Sequence, residues 1–172
     1  MTTETLPTAS LPAPSPGPSW LPRPGTYTAG PGRHITELAG RLGPLTTSRS
    51  RLTAEDATLT VAADPEDCVL RWRLTGRPLR GTALTFVSRN LVPEADGTRI
   101  RASGELAALP GRPTPATLVL RVVDRADDQL LVLGTIRLPY GPLRRTTGLT
   151  LPRTRPADRI RLLVAAEFTC PA

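Results

Sequence analysis

The amino-acid sequence predicts an all-β protein in which about nine antiparallel strands close into a single barrel. Segments in which apolar and polar residues alternate follow one another at roughly the 8–12-residue spacing of β-sandwiches and barrels. Each segment has one hydrophobic face, and no stretch has convincing helical periodicity. This regular succession favours a meander that closes into a barrel, and a β-sandwich is the alternative.

Residues 1–24 form the first predicted unit, a Pro-rich flexible arm that precedes a barrel domain of residues 25–172. Proline fixes φ and removes backbone donors, so the arm is neither helix nor paired strand. Trp20 lies at the base of the arm. The arm is therefore interpreted either as a tail or as a lid that folds over an open cavity.

Six short strands are predicted in the first half of the barrel domain, at residues 26–28, 34–38, 45–51, 55–63, 68–74 and 84–88. Turns rich in Gly, Pro and Asp separate them, for example at 30–32 and 64–67. The strand at 68–74 alternates most cleanly, with Trp72 on its inward face and Arg on the other. Phe86 is predicted to face inward from the strand that follows.

The clearest element is a β-hairpin within residues 98–124, where two alternating segments flank a loop rich in Pro and Gly. On its inner face Ala102 and Gly104 are predicted to lie opposite Leu118 and Leu120. Small side chains there are expected to leave room, and room inside a sheet could hold a ligand.

Two further strands complete the prediction. Residues 130–138 place Val132 and Ile136 on one face, and Tyr140 with the Gly-Pro after it ends that strand. A basic, Thr-rich segment follows at 143–151, and residues 158–168 form the last strand.

The positive charge of the chain comes entirely from Arg. The 22 basic residues include no Lys, and 15 acidic residues leave a net charge of +7. This bias is typical of a GC-rich bacterial genome. The Arg residues are scattered over outward strand positions without stacking aromatics, so no nucleic-acid partner is expected.

No metal site and no cofactor are predicted. The single His34 and two distant cysteines, Cys68 and Cys170, are too few for a zinc site or a disulfide framework. The two thiols are interpreted as small buried hydrophobes, with a single bridge as the alternative. No secretion signal and no apolar run long enough to cross a membrane are visible, so we expect a cytoplasmic protein.

Several segments resemble the YceI-like family of bacterial lipocalin-like barrels, over most of residues 25–170. They are the opening strand with its turn, the strands at 55–63 and 84–88, the hairpin motifs at 104–106 and 111–123, and the last strand at 158–167. Arg33 stands where the turn histidine of that family would be, and residues 74–82 are shorter than its helical stretch. The resemblance implies a divergent lipocalin-like barrel that holds a long isoprenoid chain in its interior.

Three functions are open at this point. The first is the binding of a long hydrophobic molecule, isoprenoid- or polyene-like, inside the barrel. The second is a cofactor-independent cyclase of the Diels–Alderase type, from bacterial polyketide or natural-product biosynthesis, which folds its substrate under the arm as a lid. The third is a structural or interaction module whose barrel is filled.

The residues predicted to contact the ligand are apolar, and they are Trp20, Trp72, Phe86, Leu118, Leu120, Val132 and Ile136. For a cyclase, the catalytic candidates are Glu105, His34 and Tyr140, any of which could hydrogen-bond a substrate carbonyl. Whether the protein is an enzyme, and its oligomeric state, are left open by the sequence.

Overall fold

The computed structural model describes residues 22–94, 98–108, 112–147, 149 and 157–171. Over these residues the chain forms nine strands and one short α-helix: β1 (Gly25–Thr28), β2 (His34–Leu42), β3 (Leu45–Val61), β4 (Val69–Thr75), β5 (Leu84–Glu94), β6 (Arg99–Ala108), β7 (Thr114–Ala126), β8 (Gln129–Pro139), α1 (Tyr140–Thr147) and β9 (Arg159–Thr169). Single turns of 3-10 helix at Pro65–Asp67 and Arg77–Leu79 follow β3 and β4. Within these ranges no helix is long and apolar enough to cross a membrane.

The sheet closes on itself. Strands β2 to β9 each pair antiparallel with the next, and β9 pairs with β2 to complete the ring. The short β1 lies in line with β2, between the ends of β3 and β9, where Tyr27 pairs with Leu59. The predicted closed antiparallel barrel is confirmed, and the sandwich alternative is wrong.

The longest strand, β3, runs through 17 residues where the sequence predicts two separate strands. Its register shifts between Ala54 and Asp56, and its buried positions change from even, at Ser48 and Leu52, to odd, from Ala57 onward. One extra residue in a strand moves every later side chain to the other face. The irregularity therefore appears in the sequence as a break between two alternating segments.

The inner faces of the strands form one hydrophobic core. Trp72 and Phe168 pack edge to face near its centre, with ring centroids 5.7 Å apart and an interplanar angle of 81°. Of the predicted inner residues of the hairpin around β6 and β7, Ala102, Leu118 and Leu120 belong to this core.

The expectation of free space beside Gly104 is wrong. Gly104 pairs with Ala116 and not with Leu120, and a Cβ at Gly104 would lie 2.1 Å from the carbonyl oxygen of Val87. A register shift just after Ser88 brings β5 against β6 at this point. Gly104 therefore allows two backbones to approach closely and does not border a cavity.

The segment after β8 forms a helix, where the sequence predicts none. Tyr140 ends the strand as predicted, and the eight-residue α1 begins there and packs against β6, β8 and β9. Among its described side chains only Leu143 is buried, and it joins the core at this end of the barrel together with Leu149. Two helical turns with one buried side chain give no repeating apolar stripe, so periodicity could not reveal them.

Tyr27 closes the opposite end of the barrel. Its side chain is fully buried, and its hydroxyl lies 2.7 Å from the carbonyl oxygen of Arg23 and 2.9 Å from that of Asp127. Burial, reinforced by the nearby Cys170, raises the pKa of Tyr27 above its ordinary value. The contact fixes the start of the domain to the turn between β7 and β8.

Cys68 and Cys170 are both free thiols, so the alternative of a single bridge is wrong, and Cys170 is only half-buried where the sequence predicts a buried thiol. Cys68 is fully buried just before β4, and the backbone N–H of Ala62 donates to its Sγ at 3.3 Å. Burial raises the pKa of the Cys68 thiol above its ordinary value, as expected for an inert structural cysteine.

Candidate functional site

The predicted ligand-contacting residues that the structure describes share one location, the interior of the barrel. They project from β4, β5, β7 and β8 into the same core, and each is at most 3% exposed: Trp72, Phe86, Leu118, Leu120, Val132 and Ile136. The structure brings these six together. Trp20 lies outside the described residues, so its part in a lid stays a prediction.

The interior contains polar atoms that have no partner. The indole Nε1–H of Trp72 is buried and makes no hydrogen bond within the described residues, and the same is true of the hydroxyl groups of Thr36 and Ser48. A buried donor without an acceptor costs about 1–3 kcal/mol, and buried Trp normally finds one. These three side chains come from the neighbouring strands β4, β2 and β3, but they lie at different levels along β3, because Trp72 pairs with Ala57, Thr36 pairs with Leu52, and Ser48 lies four residues before Leu52.

Glu105, the first catalytic candidate, lies on the outer face of β6. It is part of an ion pair with Arg89, and both side chains are partly exposed to solvent. A carboxylate in this position does not reach the interior of the barrel.

His34 and Tyr140, the other two candidates, lie near opposite ends of the barrel. His34 starts β2 with its Nδ1 3.2 Å from the carbonyl oxygen of Gly30, and it pairs with Ala166 of β9. Tyr140 comes directly after Pro139, which pairs with Arg159 of β9. Arg159 and Ala166 are seven residues apart on β9, so His34 and Tyr140 are separated by roughly 23 Å along the strand, at 3.3 Å per residue. The three candidates therefore do not form one acid–base site.

A groove of about 790 Å³ lies on the outer surface, where the sequence predicts only solvated positions. It crosses β2, β9, β8 and β7 and reaches β6. Its floor is apolar, with Ile35, Val119 and Leu133 exposed by 61%, 39% and 47%. Four Arg residues and one Glu also line it: Arg99, Arg121, Arg137, Arg161 and Glu37. The sequence contains one signal for this groove, because apolar residues occur on both faces of β7, β8 and β9.

Gly134 of β8 accounts for the concave shape of this outer face. It lines the groove, and a Cβ built there would lie 2.6–2.8 Å from side-chain atoms of Leu120, Val164 and Leu118. The strand thus runs closer to the core than a residue with a side chain allows. The backbone is drawn inward at Gly134, and a hollow is left outside.

The fold and its apolar interior define the class of protein: a closed antiparallel β-barrel of the lipocalin-like type, with one additional strand. No family model and no curated protein sequence match the chain. The crystal structure of BcnA from Burkholderia cenocepacia has a similar fold, with a TM-score of 0.58 and 11% sequence identity. The similarity covers 81% of this chain and 98% of the BcnA chain. At this identity the likeness is one of fold alone.

Proposed function

We propose that the barrel encloses a long apolar small molecule, of isoprenoid or polyene type, and holds it by a hydrogen bond from Trp72. The observation that carries this proposal is the buried, unpartnered Nε1–H inside an interior otherwise lined largely by hydrocarbon side chains. The segments that resemble the YceI-like family support the same ligand class.

The indole group of Trp72 restricts the chemistry of the ligand. An indole N–H only donates, so the ligand has to carry an acceptor such as a carbonyl or hydroxyl oxygen. The unpartnered hydroxyls of Thr36 and Ser48 lie at other levels of the barrel, so they are not expected to contact the same ligand oxygen as Trp72. The expected ligand is therefore a long hydrocarbon with one oxygen function, and not a pure hydrocarbon.

Binding exchanges side-chain packing for ligand contacts. Inner side chains such as Leu118 and Leu120 pack against one another, so a ligand has to displace them. Each Å² of apolar ligand surface removed from water contributes about 25 cal/mol, which offsets the rearrangement for a long chain. Association is consequently expected to be slow, because it requires a conformational change.

Two probes and one substitution test the proposal. Diphenylhexatriene is a fluorescent polyene without an acceptor, and all-trans-retinal is a polyene with a carbonyl. We expect the protein to raise the fluorescence of diphenylhexatriene and retinal to displace it. Trp72→Phe should bind diphenylhexatriene as before and retinal about tenfold more weakly, the effect of one hydrogen bond of about 1.4 kcal/mol.

A matched variant separates the interior from the outer surface. Leu133→Asp places a charge on the floor of the outer groove and should leave diphenylhexatriene binding unchanged. If diphenylhexatriene does not fluoresce with any variant and retinal, followed by its absorbance, does not bind either, the barrel does not enclose such molecules and the filled-barrel alternative is favoured. If Trp72→Phe binds retinal as well as the natural protein, Trp72 is not the anchor.

Analysis of the recovered ligand separates a binder from a cyclase. After incubation with a linear polyene that carries both a diene and an alkene, chromatography and mass spectrometry should return the starting compound. A cyclised isomer of equal mass, formed only with protein, would assign the cyclase instead. Faster ligand release from Trp20→Ala would support the lid.

A further inference from the structure

The outer groove has no part in enclosing a ligand inside the barrel. Its floor is a continuous apolar row across three strands, because Leu133 pairs with Ala165 and Ala165 pairs with Ile35. Val119 and Leu163 extend this row along the strands. Contiguous exposed apolar surface of this kind usually marks a binding site.

Arg residues face one another on both sides of the apolar floor. Arg99 pairs with Arg121 across β6 and β7, and Arg137 pairs with Arg161 across β8 and β9. None of these four forms an ion pair within the described residues. Like charges directly opposite each other in a sheet are destabilising. The arrangement therefore leaves a positive charge that an anion would neutralise.

The acidic residue of the groove does not supply this neutralisation. Glu37 lies 3.8 Å from Arg49, to which its carboxylate is directed across β2 and β3. The groove thus keeps an excess of positive charge at its Arg137 and Arg161 end.

That end of the groove is the more strongly cationic one. The Nε of Arg161 is buried and has no hydrogen-bond partner among the described residues. A second hollow of about 200 Å³ adjoins it and is lined by Arg41 and Arg159, together with the Arg137 and Arg161 that both hollows share. Arg41 pairs with Arg159, which makes a third pair of facing Arg residues.

We infer that the outer groove binds a soluble amphiphilic anion with a single hydrocarbon chain. We call it the cationic groove from here on, and its lining includes Arg137, Arg161, Leu133, Val119 and Ile35. Guanidinium groups bind carboxylate and phosphate groups bidentately, so either head group fits beside Arg137 and Arg161. The four residue steps from Arg137 to Leu133 give the chain roughly 13 Å of floor, in which Thr135 lies between the apolar Val119 and Leu163. A monomer, and not a lipid in a bilayer, fits this site because the floor is concave.

Calorimetry with three chain-matched probes tests the head group. Dodecanoate and dodecyltrimethylammonium are titrated into the full chain below their micelle concentrations, and dodecanol below its solubility limit. We expect dodecanoate to bind at least tenfold more tightly than dodecanol, and the cation not to bind. Equal affinity for dodecanoate and dodecanol would overturn the inference, because the Arg residues would then play no part.

Charge-matched variants test the location. Arg137→Gln and Arg161→Gln should each weaken dodecanoate binding about tenfold, while Arg71→Gln, which removes an exposed charge from β4, should not change it. Leu133→Asp should abolish dodecanoate binding but leave diphenylhexatriene binding intact, which separates this site from the interior. An equal loss in Arg71→Gln and Arg137→Gln would indicate unspecific charge attraction and overturn the site.

A vesicle assay distinguishes the two sources of such an anion. Sedimentation with vesicles that contain phosphatidylglycerol should show no binding that depends on Arg137. If the protein binds these vesicles through Arg137 and ignores monomeric dodecanoate, the groove recognises a membrane surface and the proposed soluble ligand is wrong.

Discussion

Arg residues on the outer surface of the barrel have different neighbours in two regions. On the strands from β3 to β6, Arg meets Glu, as in the pairs Arg73–Glu55, Arg89–Glu105 and Arg101–Glu94. There the hydrogen bond from Arg73 lowers the pKa of Glu55 below its ordinary value. Around the cationic groove, Arg residues pair with other Arg residues across neighbouring strands. The lack of an ion pair to Arg99, Arg121, Arg137 and Arg161 within the described residues, and not the abundance of Arg, marks the candidate site.

The backbone differs between the same two regions. At Gly104, in the first region, the nearest obstacles to a side chain are backbone atoms of β5. At Gly134, below the groove, they are the tips of three aliphatic side chains. Backbone cannot move aside, whereas side-chain tips can, so the first region is expected to be rigid and the second deformable.

The largest effect is expected for Gly104→Ala. The added Cβ would lie 2.1 Å from the carbonyl oxygen of Val87, so β5 and β6 would have to separate. We expect a loss of about 3 kcal/mol or more in the free energy of unfolding, measured by urea titration. A loss below about 1 kcal/mol would show that the two strands are not held as closely as described.

Gly134→Ala should have a smaller effect. Leu118, Leu120 and Val164 can each turn to accept the methyl group, which limits the loss to about 1–2 kcal/mol in the same titration. The strand should also move outward and make the groove shallower. Calorimetry should accordingly show weaker binding of dodecanoate, and unchanged affinity would contradict the role of Gly134 in shaping the groove.

Tyr27→Phe tests how the second region is joined to the start of the domain. The loss of the hydroxyl contacts to Arg23 and Asp127 should lower the free energy of unfolding by about 1 kcal/mol. Because burial raises the pKa of Tyr27 in the folded state, its contribution is constant below roughly pH 10 and is lost as the pH rises further. Urea titrations in alkaline buffers should show that this decline in the free energy of unfolding occurs in the natural protein and is missing in Tyr27→Phe.

The smallest effects are expected for two Arg→Glu substitutions, which should change the stability of the protein in opposite directions. Arg137→Glu places a carboxylate opposite Arg161 and should stabilise the protein by about 0.2–1 kcal/mol. Arg89→Glu places it beside Glu105 and should destabilise by a similar amount. Thermal unfolding at low and high salt should show both effects shrinking as salt screens the charges. Shifts of the same sign would contradict the contrast between the two regions.

Alternation of apolar and polar residues was sufficient to predict the closed barrel and its inner residues. Trp72, Phe86 and Val132 lie inside because the period of two assigns every other residue to one face. The same rule failed at Glu55, the one extra residue that reverses the faces of β3. It also gave no sign of α1, which is too short to show a repeat.

The groove could not be predicted because it depends on pairing across strands. Arg137 and Arg161 are 24 residues apart in the chain, and only the register of β8 and β9 places them side by side. The depth of the groove depends on Gly134, and a single glycine in a strand predicts either a weak point or a close approach. Outward apolar residues such as Leu133 were the one visible signal.

The short strand β1 has a consequence for the solubility of the protein. It pairs with the part of β3 that lies beyond the pairing of β2 with β3. The backbone N–H of Ala29 also donates to the carbonyl oxygen of Ala57 at 3.0 Å. Without this cover, the alternating segment from Thr58 to Val61, in which all residues but Leu59 are β-branched, would be an open sheet edge. Open edges recruit strands from other molecules. A chain shortened past Thr28 would therefore be prone to aggregate through a surface that the intact barrel never exposes.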